Sequence, residues 1–136
     1  MSDNNIKELI NAAIKARKNA YTPYSDFKVG AALLTADGDI IRGCNVENAA
    51  YSPSICAERT AISAAIACGH KNFTAIAVVG GKDELADNCY PCGVCRQTLT
   101  EFCPPDFPII IAQSPENYKI MTLSELLPHS FSSENL

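Results

Sequence analysis

Two short runs constrain this chain more than anything else in it: FTAIAVVGG, residues 73–81, and FPIIIAQ, residues 107–113. Both are apolar almost without a break and rich in branched side chains. A strand with no polar alternation is covered on both faces, so its sheet needs helices above and below. Those helices can be read directly. Ile6, Leu9, Ile10, Ala13 and Ile14 follow the i, i+3, i+4, i+7, i+8 template, with Lys7, Glu8 and Lys15 outside. A second helix runs through CAERTAISAAIACGHKN; its body, Ala61 to Cys68, is apolar nearly all round, which predicts burial, and Gly69 is its natural stop. A third begins at GVCRQTLTEFC, between the two strands.

The remainder completes the sheet. Pro23 in YTPYSDF ends the first helical pattern in a loop. FKVGAALLTADGDIIRGCNVEN reads as a β-hairpin turning at Asp-Gly, and small Gly30, Ala31 and Ala32 predict a close neighbour. YKIMTLSELLP adds a strand and a short helix, and HSFSSENL is a tail. The expectation is a three-layer α/β/α sandwich: one mixed sheet of about five strands flanked by helices, with residues 1–136 as a single domain.

Charge narrows the class of ligand. The net charge is −4, and no Lys/Arg run exceeds two residues, which speaks against a nucleic-acid partner. A small neutral ligand fits better. MSDNNIKELI lacks the pattern of a signal peptide, and no apolar stretch approaches the ~18–20 residues that span a bilayer, so the reading is a cytoplasmic protein with no membrane partner. In that compartment seven cysteines are thiols, metal ligands or catalytic groups rather than a disulfide framework.

The stretch PCGVCRQ places Cys92 and Cys95 at metal-ligand spacing, i and i+3, on one helix face. Cys68 and Cys103 read as small hydrophobes on apolar helical faces, Cys44 as structural, and His70 and His129 as solvated. Cys89 makes CYPC a second C-x-x-C, either a redox pair or a third thiolate, although a thioredoxin-like fold wants that motif near an N-terminal strand. Cys56 is the better third ligand. It opens the second helix as Cys92 opens the third, and the positive ends of two helices favour thiolate over thiol. Three protein ligands leave a fourth tetrahedral position for water, the mark of a catalytic rather than a structural zinc. Glu58, two residues beyond Cys56, is either an acid favoured by the helix dipole or the group that moves protons at that site.

CAE and PCGVC together match the three-cysteine form of the signature of zinc-dependent nucleobase deaminases. The chain resembles, nearly end to end, the short bacterial-type cytidine deaminases, through PYSDFKVGAALL, GCNVENAAYS, CAERTA, PCGVCRQ and the SFSSENL tail. The resemblance implies hydrolysis of cytidine or 2′-deoxycytidine to the uridine nucleoside and ammonia, one Zn²⁺ per chain on Cys56, Cys92 and Cys95, and Glu58 as general base and acid in turn. It assigns Asn45, Val46 and Glu47 to the sugar and Phe27 to the pyrimidine. It also implies a homotetramer in which Phe131 reaches a neighbour's active site. Arg59 is expected to donate to the thiolates and offset their charge, and Gln97 to do the same from the other helix.

Other readings compete with this one. A blasticidin-type deaminase shares the cysteine motifs but not the whole NVEN segment. A nucleic-acid editor would want a basic surface, and a nucleotide deaminase a phosphate clamp that GCNVENAAYS lacks. A redox or structural-zinc protein built on CYPCGVC is the reading outside the deaminases.

Overall fold

The computed structural model describes all of residues 1–136. Helix α1, Asp3–Arg17, begins at Ser2, whose hydroxyl accepts from the Asn5 amide at 3.2 Å; Asp3 in its first turn and Lys15 and Arg17 in its last suit the helix dipole. The predicted hairpin is β1, Lys28–Thr35, and β2, Ile40–Cys44, joined at Gly38 with φ +91°. Helix α2, Ala57–Ala67, leads to β3, Phe73–Gly81. Helix α3, Gly93–Phe102, crosses to β4, Pro108–Ala112, which runs parallel to β3 with Ile76 opposite Ile109. Strand β5, Tyr118–Thr122, and the single turn α4, Leu123–Leu126, follow. The sheet order is β2-β1-β3-β4-β5, and every neighbour pair except β3–β4 is antiparallel. The mixed five-stranded sheet expected from the sequence is present.

Alternation along the central strands divides the core in two. Ala32, Ala75, Ala77, Val79, Ile110 and Ala112 face α1 and meet Ile6, Leu9, Ile10 and Ala13. Their neighbours Ala31, Leu33, Ile76, Val78, Ile109 and Ile111 face the other way, onto α2, α3 and α4. These are the two covered faces that the unbroken apolar runs require.

The small residues of the hairpin have a steric reason. A Cβ at Gly30 would lie 2.0 Å from the Ala13 carbonyl oxygen of α1, and one at Gly43 would lie 2.4 Å from the Ala57 carbonyl oxygen of α2. Because Ala31 pairs with Gly43, the two contacts sit on adjacent strands at nearly the same level.

Three expectations need correction. Helix α2 is buried on one side only: Ala57, Glu58, Ala61, Ile62 and Ala65 are covered, whereas Ser63, Ala67 and Cys68 are exposed, because α2 has the sheet beneath it and no further layer of this chain above. Cys68 accordingly caps the helix in solvent rather than packing as a hydrophobe. His70 is not freely solvated. Its side chain is 16% exposed and lies 3.5 Å from both Asp37 and Asp39 at the hairpin turn.

Candidate active site

Two chain segments deliver two helix starts to one point. After β2, Val46 exchanges backbone hydrogen bonds with Ile55, each 3.0 Å, closing the loop between them and presenting Cys56 at the N-cap of α2. After β3 the chain runs to Pro91, whose carbonyl accepts from Arg96 Nε at 2.7 Å, while Arg96 Nη1 donates to the Leu126 carbonyl at 2.6 Å. That fork fixes the turn ahead of Cys92, the N-cap of α3. Neither N-cap cysteine makes the side-chain hydrogen bond that a serine or aspartate would make there. Their sulfurs turn to one another instead, with Cys56 Sγ and Cys92 Sγ 3.5 Å apart.

Cys95, fully buried in the first turn of α3, completes the group: the sulfurs of Cys56, Cys92 and Cys95 all lie within 4.8 Å of one another. A tetrahedral zinc with arms of about 2.3 Å holds its sulfurs about 3.8 Å apart, so the cluster fits that ion. Its electrostatics fit as well. A hydrogen bond from the Cys95 thiol, aided by the Arg59 guanidinium and Cys92, pulls the Cys56 thiol down to about 5, and Cys95 is pushed far up in consequence. Cys56 and Cys95 thus share one proton between them, a conflict that a dication resolves by stabilising both as thiolates.

Arg59 sits where the sequence reading expects it. Its Nη2 is 3.7 Å from Cys56 Sγ, and its Nε is buried with no hydrogen-bond partner. Gln97 is engaged elsewhere, donating from Nε2 to the Phe131 carbonyl at 2.9 Å. Cys89, the rival ligand, stands outside the sulfur cluster. Burial, with the charges of Glu58 and Cys56 adding to it, pushes its thiol up to about 11, so it remains a neutral thiol. Of the CYPC pair, Cys92 is gathered into the sulfur cluster with Cys56 and Cys95 while Cys89 is left out of it.

Beside the cluster is a cleft of about 280 Å³, lined mostly by apolar atoms. Cys56, Cys92 and Glu58 line it together with Phe27, Val29, Asn45, Glu47 and Ile55. Glu58, in the first turn of α2, is only 3% exposed. Burial pushes its carboxyl up to about 7, with the Cys56 charge acting in the same direction, so it can exchange a proton near neutrality. A larger groove of about 600 Å³ runs between α1 and β2, but its lining is polar and contains none of the three clustered cysteines.

Asn45 and Glu47 both reach the cleft, as their two-residue spacing suggests, and both also brace its wall. Asn45 accepts from the Val29 amide at 2.9 Å and donates to the Phe27 carbonyl at 2.8 Å. Glu47 accepts from the Tyr24 and Ser25 amides at 3.0 and 3.1 Å and from the Ser25 hydroxyl, which holds its carboxyl below the usual range. Each retains hydrogen-bonding capacity toward a ligand. Val46, between them, is off the cleft: its side chain is exposed and its backbone is spent on Ile55. Phe131 lies in the exposed tail.

Known proteins share the sequence and the fold. The family model for the cytidine and deoxycytidylate deaminase zinc-binding region matches residues 3–111. The chain belongs to this deaminase family. It is 45% identical to the cytidine deaminase of Sporosarcina psychrophila over 131 residues, which are 96% of this chain and 94% of that one. It is 46% identical to the cytidine deaminase of Halalkalibacterium halodurans over 128 residues, 94% and 95% of the two chains. The crystal structure of cytidine deaminase from Burkholderia pseudomallei superposes with a TM-score of 0.84 at 44% identity, covering 96% of this chain and all of that one. In this deaminase, Cys56, Cys92 and Cys95 form a cluster placed to hold one zinc, within the matched zinc-binding region.

Some residues of the deaminase cleft escape a sequence reading. Val29, Ser54, Ile55 and Tyr90 line it without any polar motif of their own. The signal available was adjacency: Ile55 precedes Cys56, and Tyr90 lies two before Cys92. Cys89, a redox thiol or third ligand by its spacing, is part of the wall.

Proposed function

We propose that this protein hydrolyses cytidine and 2′-deoxycytidine to uridine and 2′-deoxyuridine with release of ammonia, as a cytoplasmic enzyme of pyrimidine salvage. The observation that carries the reading is Glu58: a carboxylate 3% exposed, its pKa raised to about 7, lining the same small cleft as the cysteine cluster. Zinc, held by Cys56, Cys92 and Cys95, would supply hydroxide at neutral pH by acidifying water.

Glu58 takes the proton released by the attacking water and delivers it to ring nitrogen 3, which opens carbon 4 to addition. It then moves the proton of the new hydroxyl at carbon 4 to the amino group there, which departs as ammonia as the carbonyl of uridine forms. Water and the cytosine nucleoside go in, and ammonia and the uracil nucleoside come out. Arg59 donates toward the sulfurs and withdraws part of the charge that three thiolates would otherwise concentrate there. Phe27 packs against the pyrimidine. Asn45 and Glu47, already held by backbone partners, offer their remaining donor and acceptor to a sugar hydroxyl. The chain acts as one domain and assembles as a homotetramer, with Phe131 of one subunit reaching the site of the next; the exposed outer side of α2 and the 59% exposure of Phe131 support this.

An ultraviolet assay tests the reading with cytidine, deoxycytidine, cytosine and cytidine monophosphate, before and after zinc removal. Turnover of the two nucleosides is expected, with loss on chelation and recovery on zinc addition. Turnover confined to the free base or the monophosphate would replace the proposed substrate.

A further inference from the structure

One side chain outside the cleft gathers an unusual set of partners. Arg17, the last residue of α1, points its guanidinium at main-chain carbonyls only: Nε donates to Lys28 at 3.1 Å, and Nη2 to Gly81 at 2.7 Å and Lys82 at 2.8 Å, with Asp83 more distant at 3.5 Å. No carboxylate forms an ion pair with it. Lys28 and Gly81 face each other in the register, so the guanidinium spans the end of the β1–β3 ladder. Gly30 lets α1 approach closely enough, since a Cβ there would lie 2.7 Å from the Arg17 amide nitrogen.

Both strands lead from this point into the cleft. At the start of β1, Phe27 just before it and Val29 within it flank Lys28 and line the cleft; beyond β3, the segment after Gly81 returns to line it with Cys89 and Tyr90 before reaching Cys92. The return is tight. The Ala86 amide donates to the Gly80 carbonyl at 2.7 Å. A Cβ on Gly80 would lie 2.4 Å from Cys89 Sγ and 3.2 Å from the Phe27 ring. The two walls therefore meet over Gly80, and Arg17 ties their roots together.

We infer that Arg17 is a positioning residue for substrate binding: without reaching the cleft, its fork holds the start of β1 and the segment after β3 at the separation the nucleoside requires. A planar guanidinium suits this task because it serves several carbonyls in fixed directions, whereas an ammonium offers one point of charge. Since Cys56, Cys92 and Cys95 sit at the starts of α2 and α3, and Arg96 rather than Arg17 holds the turn ahead of Cys92, loss of the fork should disturb binding before it disturbs the metal or the proton transfers. The inference rests on the proposed deaminase reading for its substrate, though not for its structural readout.

The test compares Arg17→Met, Arg17→Lys and Ile6→Ala, the last thinning the packing of the same helix at its other end. Amide hydrogen exchange across residues 82–92 should quicken by about tenfold in Arg17→Met, on the order of one lost charge-assisted hydrogen bond, with α2 and α3 unchanged. KM for cytidine should rise by a similar factor while kcat stays within about threefold and zinc remains near one per chain. Arg17→Lys should fall between wild type and Arg17→Met; if Arg17→Met does not fold, Arg17→Lys against Ile6→Ala decides. Unchanged exchange across 82–92, or an equal rise in KM in Ile6→Ala, would overturn the inference. The exchange comparison needs no substrate, so a wild-type protein inert toward cytidine would sink the functional reading and leave this one to be judged by exchange.

Discussion

Glu58 and the three clustered cysteines divide the work of the site, and substitution should separate their contributions. Glu58→Gln keeps the shape of the side chain and removes its ability to take a proton. Zinc content should stay near one per chain while kcat falls by about 10²–10⁴ or more, the usual worth of a positioned acid–base group. A variant retaining most of its turnover would show that Glu58 is not the proton carrier. The cysteines should behave the other way. Cys56→Ala, Cys92→Ala and Cys95→Ala each remove one of the sulfurs that lie within 4.8 Å of one another and should lose both metal and activity. Cys89→Ala should keep the metal, because its neutral thiol stands outside that group. Metal analysis of the four purified variants checks this directly.

At the scale of elements, the hairpin is the thinnest part of the molecule, pressed by α1 at Gly30 and by α2 at Gly43. Gly30→Ala and Gly43→Ala should each destabilise by at least about 1–3 kcal/mol, since a Cβ would meet backbone atoms that cannot swing aside. Gly93→Ala is the control. A Cβ there meets nothing within 4 Å, so thermal unfolding should be unchanged or slightly delayed. A Gly30→Ala protein as stable as wild type would mean that α1 can slide.

Much of this level was legible in the chain. Unbroken apolar runs fixed β3 and β4 because a strand buried on both faces leaves no room for polar alternation. The three zinc-site cysteines were legible because ligand spacing and helix starts are local patterns. The cleft wall was not: Val29, Ile55 and Tyr90 acquire their role from tertiary proximity, which leaves no periodic trace. Nor was the engagement of Gln97 with the Phe131 carbonyl, which joins residues 34 apart. The one-sided burial of α2 was not legible either, because a helix apolar all round does not reveal how much of its cover comes from its own chain.

At the scale of the whole molecule, the tail is the most informative segment. Phe131 is 59% exposed although Gln97 anchors its carbonyl, so the backbone is held while the ring is free to enter another surface. Deleting residues 129–136 should cut activity sharply and leave zinc bound. Mixing Glu58→Gln chains with tail-deleted chains should then restore part of the activity, because some sites would combine an intact Glu58 with an intact neighbouring tail. Light scattering showing a monomer at working concentration, or a fully active deletion, would defeat the shared-site assembly.

The two bare N-caps carry a further consequence. Cys56 and Cys92 forgo the hydrogen bonds by which a helix start normally holds itself, so the ends of α2 and α3 depend on whatever gathers the sulfurs. By linkage, a ligand that binds the assembled ends stabilises them, and the coupling runs equally in reverse. Chelation should loosen the amides of residues 57–60 and 93–96 while α1 keeps its protection, which hydrogen exchange can read. Conversely, a change that loosens either first turn should weaken zinc affinity by the same factor, measurable in competition with a chromophoric chelator. The protein's hold on its metal is in that sense a gauge of how firmly its two central helices begin.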